Sequence, residues 1–238
     1  MDCADNLDEL LARKRTLDAR IAAAPALAQR LHELRSWQAR RLARTYEDLA
    51  REPRHAAAVE FFLSDLYGSA GAARRDQDLR RAWRHFKRAL PHAAFELIER
   101  AVTLDVLTAE LDVATAERLA ARPVTTAAYV EAYRRVNRAE ERRRQIDLTI
   151  AVGLDLDRIV RHAWIGIALK AAHIPAHTAG YGALQDFLER GFSAFRKMRG
   201  AGTLLAAIRE RETQMMHSLL AGTTPPSEKV GTKASTPS

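Results

Sequence analysis

The sequence predicts an all-α fold, a single-domain bundle of eight or nine helices, and three observations carry that expectation. Alanine is the commonest residue, 6% of the 238 residues are aromatic, and there are 11 glycines and 8 prolines. That composition favours helix over the β-branched and aromatic content of a sandwich. Apolar side chains recur every three or four residues along nearly the whole chain. No sustained heptad and no repeat of roughly 20 to 50 residues occurs, which argues against a long coiled coil or a solenoid. With 47% hydrophobic residues there is material for a full core.

Leu7, Leu10, Leu11, Leu17 and Ile21 form one apolar face before Pro25, and Leu27, Leu31, Leu34, Trp37, Leu42, Tyr46 and Leu49 form the next. These predict helices over about 5–22 and 26–51. Pro53 suits the first turn of a third helix, whose Val59, Phe62, Leu63 and Leu66 lead to Gly68. After the Gly68 to Gly71 loop, Leu79, Trp83, Phe86 and Leu90 mark a fourth helix. Pro91 opens a long one reaching toward Ala121, with a break expected near Leu111 to Ala114 and an end at Arg122-Pro123. Thr125 or Thr126 caps the next, which runs through Tyr129, Tyr133, Val136 and Ile146 to Gly153.

The helix from Ile159 to Ala172 carries Trp164, Ile165, Ile167 and Leu169 on several faces, so it is expected at the buried centre of the bundle, broken off by Ile174-Pro175. Leu184, Phe187, Leu188, Phe192 and Phe195 define the following helix, and Gly200-Ala201-Gly202 precedes a last one over Thr203 to Leu220. The expected division is a helical domain over residues 1–221 and a disordered tail over 222–238, rich in Gly, Pro, Ser and Thr.

Formal charge is +8, yet its sign alternates between helices, and arginine far outnumbers lysine in an alanine-rich chain. Coding bias explains that composition as readily as an acidic partner does. The single cysteine, Cys3, permits no internal disulfide and no cysteine-pair zinc site. The acidic start lacks the apolar stretch of a secretory signal, and no apolar run approaches the ~18 residues of a membrane span. A cytoplasmic protein with no membrane association is expected.

The segment Phe61-Phe62-Leu63-Ser64-Asp65-Leu66-Tyr67-Gly68, followed by Arg74-Arg75-Asp76-Gln77-Asp78, resembles a family of bacterial helical proteins with an FFL-x-DLYG signature. Leu90-Pro91, Leu111-Asp112 and the stretches Leu184 to Phe192 and Ala194 to Met198 are similar to later segments of the same family. The likeness spans roughly residues 50 to 215. It implies a bacterial, cytosolic, all-helical protein, with no activity attached. Where such proteins tend to carry an Asp-Phe pair after the signature, this chain has Gly71-Ala72-Ala73.

Catalytic signals are sparse. A carboxylate-bridged di-metal bundle needs Glu-x-x-His units on two helices, and the chain has a single one, Glu52-Pro53-Arg54-His55. His92, Glu96 and Glu99 share a helix face and offer at most a mononuclear site, or simply surface carboxylates. His173 and His177 straddle Ile174-Pro175, which takes them off one regular face and argues against a shared metal. No nucleophile elbow, Walker A sequence or dinucleotide fingerprint occurs. Arg134, Arg138 and Arg142 at four-residue spacing could track phosphates, but Glu131 and Glu140 lie where they would pair with Arg135 and Arg144, as on a solvated helix.

Two constellations remain. His162, in the most apolar helix, is expected to be buried and hydrogen-bonded, and is the residue best placed for a cofactor or general-base role. Asp65, Tyr67, Arg75 and Asp76 gather around the Gly68 loop as a structural clamp or a pocket for a small acidic ligand, with Arg75 the expected partner of Asp65. The functional expectation is a non-catalytic binding or regulatory protein that acts through a helical surface or a homodimer interface. The alternative is a helical-bundle enzyme or carrier that encloses a small ligand or an undetermined cofactor. Nucleic-acid binding ranks below both.

Overall fold

A computed structural model describes residues 3–66, 72–86, 92–119 and 122–223, and every regular element among them is helical. In order they are α1 (Cys3–Ala22), α2 (Pro25–Thr45), α3 (Glu47–Arg51), α4 (Ala56–Phe61), a π-helical turn (Phe62–Leu66), α5 (Ala72–Phe86), α6 (His92–Leu119), α7 (Thr126–Val136), α8 (Ala139–Ile159), α9 (Ala163–Thr178), α10 (Gly182–Met198) and α11 (Gly202–Ala221). Eleven α-helices replace the eight or nine expected, because interruptions of one and two residues divide two of the long periodic segments. Tyr46, at φ −112 and ψ 17, separates α2 from α3. Asn137 sits at φ 50 and ends α7, a conformation asparagine tolerates better than most residues. Two sequence signals act as expected: Pro25 opens α2, and the Thr125 side chain accepts from the Ala128 N–H at 3.2 Å.

The centre of the bundle is α6, not α9. Its 28 residues run unbroken through Leu111 to Ala114, about 42 Å at 1.5 Å per residue. Packing on α1, α2, α7 and α8 buries Val102, Val106, Leu107, Leu111, Val113, Ala116 and Leu119. Cover on both sides removes any reason for a break. Three clusters make up the core. One joins α2 to α4, α8, α10 and α11 around Tyr46, Phe61, Phe195 and Met198. A second joins α2, α6, α7 and α11 around Trp37, Leu119, Tyr129 and Met216. The third joins α1, α5 and α6 around Leu7, Trp83 and Val106.

Gly153 does not end α8 as expected. A Cβ there would overlap Leu205 Cδ2, so the glycine lets α8 and α11 approach closely in mid-helix. Nor do Arg134, Arg138 and Arg142 form one exposed row. The αL residue Asn137 changes the phase between α7 and α8, and Arg142 turns into the core. The Glu131–Arg135 pair does form. The expected tail falls, from residue 224 on, outside the described residues, and the described chain ends after Gly222 caps α11 at φ 76.

Candidate functional site

The π-helical turn places Asp65 where α4 and α5 meet α10. Arg190 of α10 donates twice to Asp65 Oδ1, from Nε at 3.1 Å and from Nη2 at 2.5 Å. Arg75, the expected partner, donates instead to the Asp65 backbone carbonyl at 2.7 Å, with its guanidinium 4.6 Å from the centre of the Phe187 ring. Phe187 and Arg190 come from a distant helix, so the spacing around residue 65 holds no sign of them. Asp76 joins this corner to α1: its Oδ1 accepts from Arg75 Nε at 3.4 Å, and its Oδ2 accepts from Lys14 Nζ at 3.1 Å. Lys14 also faces Asp18 and Asp105. Burial alone would lower the Lys14 pKa, but Asp105 and Asp76 outweigh it and raise the value. Tyr67 lies outside the described residues.

His162 is exposed, which corrects the expected burial. It occupies the residue before α9 and makes no side-chain cap. The reason is that α9 lies on the outside. Its one extensive packing partner among the described residues is α10, met through Gly166, Leu169, His173 and His177, whereas Trp164, Ile167 and Ile174 on the opposite face are 60%, 69% and 75% exposed. A helix apolar on several faces has two solutions, full burial or one face left for a partner.

Between α9 and α10 the structure assembles a polar group that the sequence argues against. Pro175 does not break the helix. It lacks only the one N–H that would reach Ala171, and its own carbonyl accepts from Ala179 at 2.9 Å. α9 therefore carries His173 and His177 one turn apart on a regular face, with ring centroids 4.6 Å apart. His177 Nε2 lies 2.9 Å from Asp186 Oδ1, and His173 Nδ1 lies 3.0 Å and 3.2 Å from the two Glu189 oxygens. The four-residue histidine spacing is the signal that could have found this group, and the proline between the two rings masks it. The other candidate, His92 with Glu96 and Glu99, does not converge: His92 Nε2 is 3.6 Å from Glu96, and Glu99 accepts from Asn6 of α1.

A cavity of about 50 Å³ lies between α2, α6, α7, α8 and α11, bordered by neither Asp65 nor His162. Its lining includes the arginines Arg41 and Arg142, the carboxylates Asp112 and Glu212, and Gln38, Tyr129, Tyr133 and Gln145. Arg41 pairs with Glu212 at 2.6 Å, and Tyr46 donates to the same carboxylate at 2.9 Å. Burial pushes the Tyr133 phenol far above its ordinary value. Arg142 is buried and pairs with no carboxylate among the described residues. It donates to Thr115 Oγ1 at 2.9 Å and to Gln145 Oε1 at 3.3 Å, and stacks 4.6 Å from the Tyr133 ring centre.

No helix among the described residues is long and apolar enough to cross a membrane. Neither the curated proteins nor the solved structures contain a match to the chain. A family model described as "Domain of unknown function (DUF8198)" matches residues 18–226, nearly the whole of the helical array from α1 through α11. The chain belongs to this family, DUF8198.

Proposed function

We propose that the protein is a non-catalytic binding protein whose working surface is the outer face of α9, and that the occupant of that face is a second copy of the chain. The observation that carries this is the exposed stripe Trp164, Ile167, Ala168, Ala171, Ile174 and Pro175, which contains no ionisable side chain. Its three large residues alone leave about 400 Å² uncovered, at roughly 200 Å² per side chain. That is the size of the largest, often functional, apolar patch on a soluble protein. The exposed small residues between them add to this area, which stays below the roughly 800 Å² that one partner of a standard interface covers and calls for neighbouring contacts as well.

Two features favour a second copy. The stripe runs from large (Trp164, Ile167) through small (Ala168, Ala171) to large (Ile174), so an antiparallel copy sets large ends beside large ends and lets the helix axes approach at the alanines. The face also carries no charge that another chain would have to neutralise. Light scattering tests the reading, with a mass twice the 26.6 kDa of one chain expected at micromolar concentration. Ile167→Glu should return the monomer with an unchanged far-UV circular dichroism spectrum, since the side chain lies outside the core, and its melting temperature should fall only by what association contributes. By symmetry the substitution takes one isoleucine from each side of the interface, and at about 2 kcal/mol for each the dimer weakens roughly a thousandfold. A monomeric parent, or an Ile167→Glu variant that stays dimeric, overturns it.

One further observation favours a second reading, a small-anion site at the buried cavity. Arg142 is a desolvated cation facing about 50 Å³ of space, enough for one small oxyanion or a few waters at roughly 10–15 Å³ of such space each.

A further inference from the structure

We propose that His173, His177 and Asp186 form a binding site for a divalent transition-metal ion of the zinc class, with Glu189 and Gln185 holding the ligands in place. One nitrogen of each imidazole and one Asp186 oxygen lie within 4.8 Å of one another. A tetrahedral ion with bonds of about 2.0–2.1 Å spaces its ligand atoms about 3.3 Å apart. The difference is within reach of side-chain rotation, because both helices already present these groups to one point. The three side chains are 48%, 43% and 41% exposed, which gives the ion an entry path and leaves a coordination position to water.

The surroundings are those of a site. Glu189 contacts His173 Nδ1 and in turn accepts from Gln185 Nε2 at 2.8 Å. Gln185 is buried and donates also to the Leu169 carbonyl of α9 at 2.7 Å, so a fixed amide orients the carboxylate that orients the ring. Gly182 has a related part on the other side: a Cβ there would lie 2.8 Å from His177 Nδ1, and its absence lets that ring lie against the start of α10. Two separate histidine–carboxylate staples between α9 and α10 would need none of this convergence. They would also gain nothing from rings 4.6 Å apart, which repel when both are protonated.

The donor set selects the ion. Imidazole nitrogen with carboxylate oxygen suits Zn²⁺, Co²⁺ or Ni²⁺, whereas Ca²⁺ and Mg²⁺ take oxygen cages. Bound metal would cross-link α9 to α10 from the side opposite the apolar stripe. Metal stoichiometry and molecular mass are read independently, so self-association has no bearing on this site.

Equilibrium dialysis of the full chain against Zn²⁺ in a non-chelating buffer is expected to give one ion per chain. Binding should weaken in acid, because protons compete with the metal for the imidazole nitrogens. His177→Ala and His173→Ala should each lower affinity at least 100-fold, Glu189→Gln about tenfold, and His162→Ala not at all. Because the two histidines are surface residues, far-UV circular dichroism should show these variants folded. Co²⁺ should give intense tetrahedral ligand-field bands with the parent that are missing from His177→Ala. Stoichiometric binding that survives loss of both histidines overturns the proposal, as does a parent that binds zinc no more tightly than the double variant.

Discussion

Asp65→Ala probes the corner where the π-helical turn, α5 and α10 meet, and its cost follows from which half of the ion pair is wet. The Asp65 side chain is 15% exposed, but that of Arg190 is 55% exposed. Removing the carboxylate therefore leaves a guanidinium that water can reach, not one stranded in the core. A dry pair would lose about 3–5 kcal/mol on breaking, while an exposed pair loses about 1 kcal/mol or less. The bond from Arg75 survives, because it ends on the Asp65 backbone carbonyl. The expected loss is about 1 kcal/mol, a fall in melting temperature of about 2–4 °C for a chain of this size. His162→Ala is the comparison: an exposed residue with no cap bond should stay within about 0.5 kcal/mol of the parent. Thermal melts followed by circular dichroism at low and high salt read both. The Asp65→Ala deficit should shrink with salt, as a screened pair requires. A variant that melts like the parent would refute the clamp, and a loss above about 3 kcal/mol would refute the wet assignment of Arg190.

Gly153→Ala should destabilise by about 1–3 kcal/mol, because its Cβ would overlap Leu205 Cδ2, and adding Leu205→Val should recover part of the loss in the same melts. The Arg211 guanidinium beside Asp48 holds that carboxyl down at about 2, against an ordinary 3.8. A depressed folded pKa gives stability that is whole above about pH 4 and lost as pH falls toward 2, so the stability gap between the parent and Asp48→Asn should close over that window in acid titrations. For the cavity, inorganic phosphate at ten times its Kd should stabilise the parent by about 1.4 kcal/mol at constant ionic strength. Arg142→Met should show no phosphate response, and an equal response in both proteins would dismiss the anion site.

The helical class is legible because it depends on local periodicity and composition, and so are stops and starts set by one residue, such as Pro25 and Thr125. What stays hidden depends on partners. The run from Ile159 to Ala172 is apolar on several faces, and that pattern alone does not say whether the surrounding apolar surface comes from the same chain. The structure puts α6 in the centre and α9 outside. Arg142 belongs to a row of surface-like arginines until Asn137 shifts the helical phase. Asp65 and Asp76 are recognisable as charges needing partners, but Arg190 and Lys14 lie far along the chain and no spacing rule connects them. The histidine pair is hidden for a different reason. A proline in the last turn of a helix removes a single hydrogen bond, a smaller disturbance than a break, so the four-residue spacing keeps its meaning.

Tryptophan emission during dilution tests the outer face of α9 most directly, because the chain reports on it with little interference. Of the three tryptophans, Trp37 and Trp83 are buried in the core and Trp164 alone is exposed on the stripe. If α9 pairs with a second copy, dilution from micromolar to nanomolar concentration should shift the emission to longer wavelength as Trp164 meets water. The shift should be absent in Trp164→Phe and already complete in Ile167→Glu at high concentration. An emission spectrum that does not change with concentration, already showing a solvent-exposed Trp164 at micromolar protein, would contradict the pairing of α9 with a second copy.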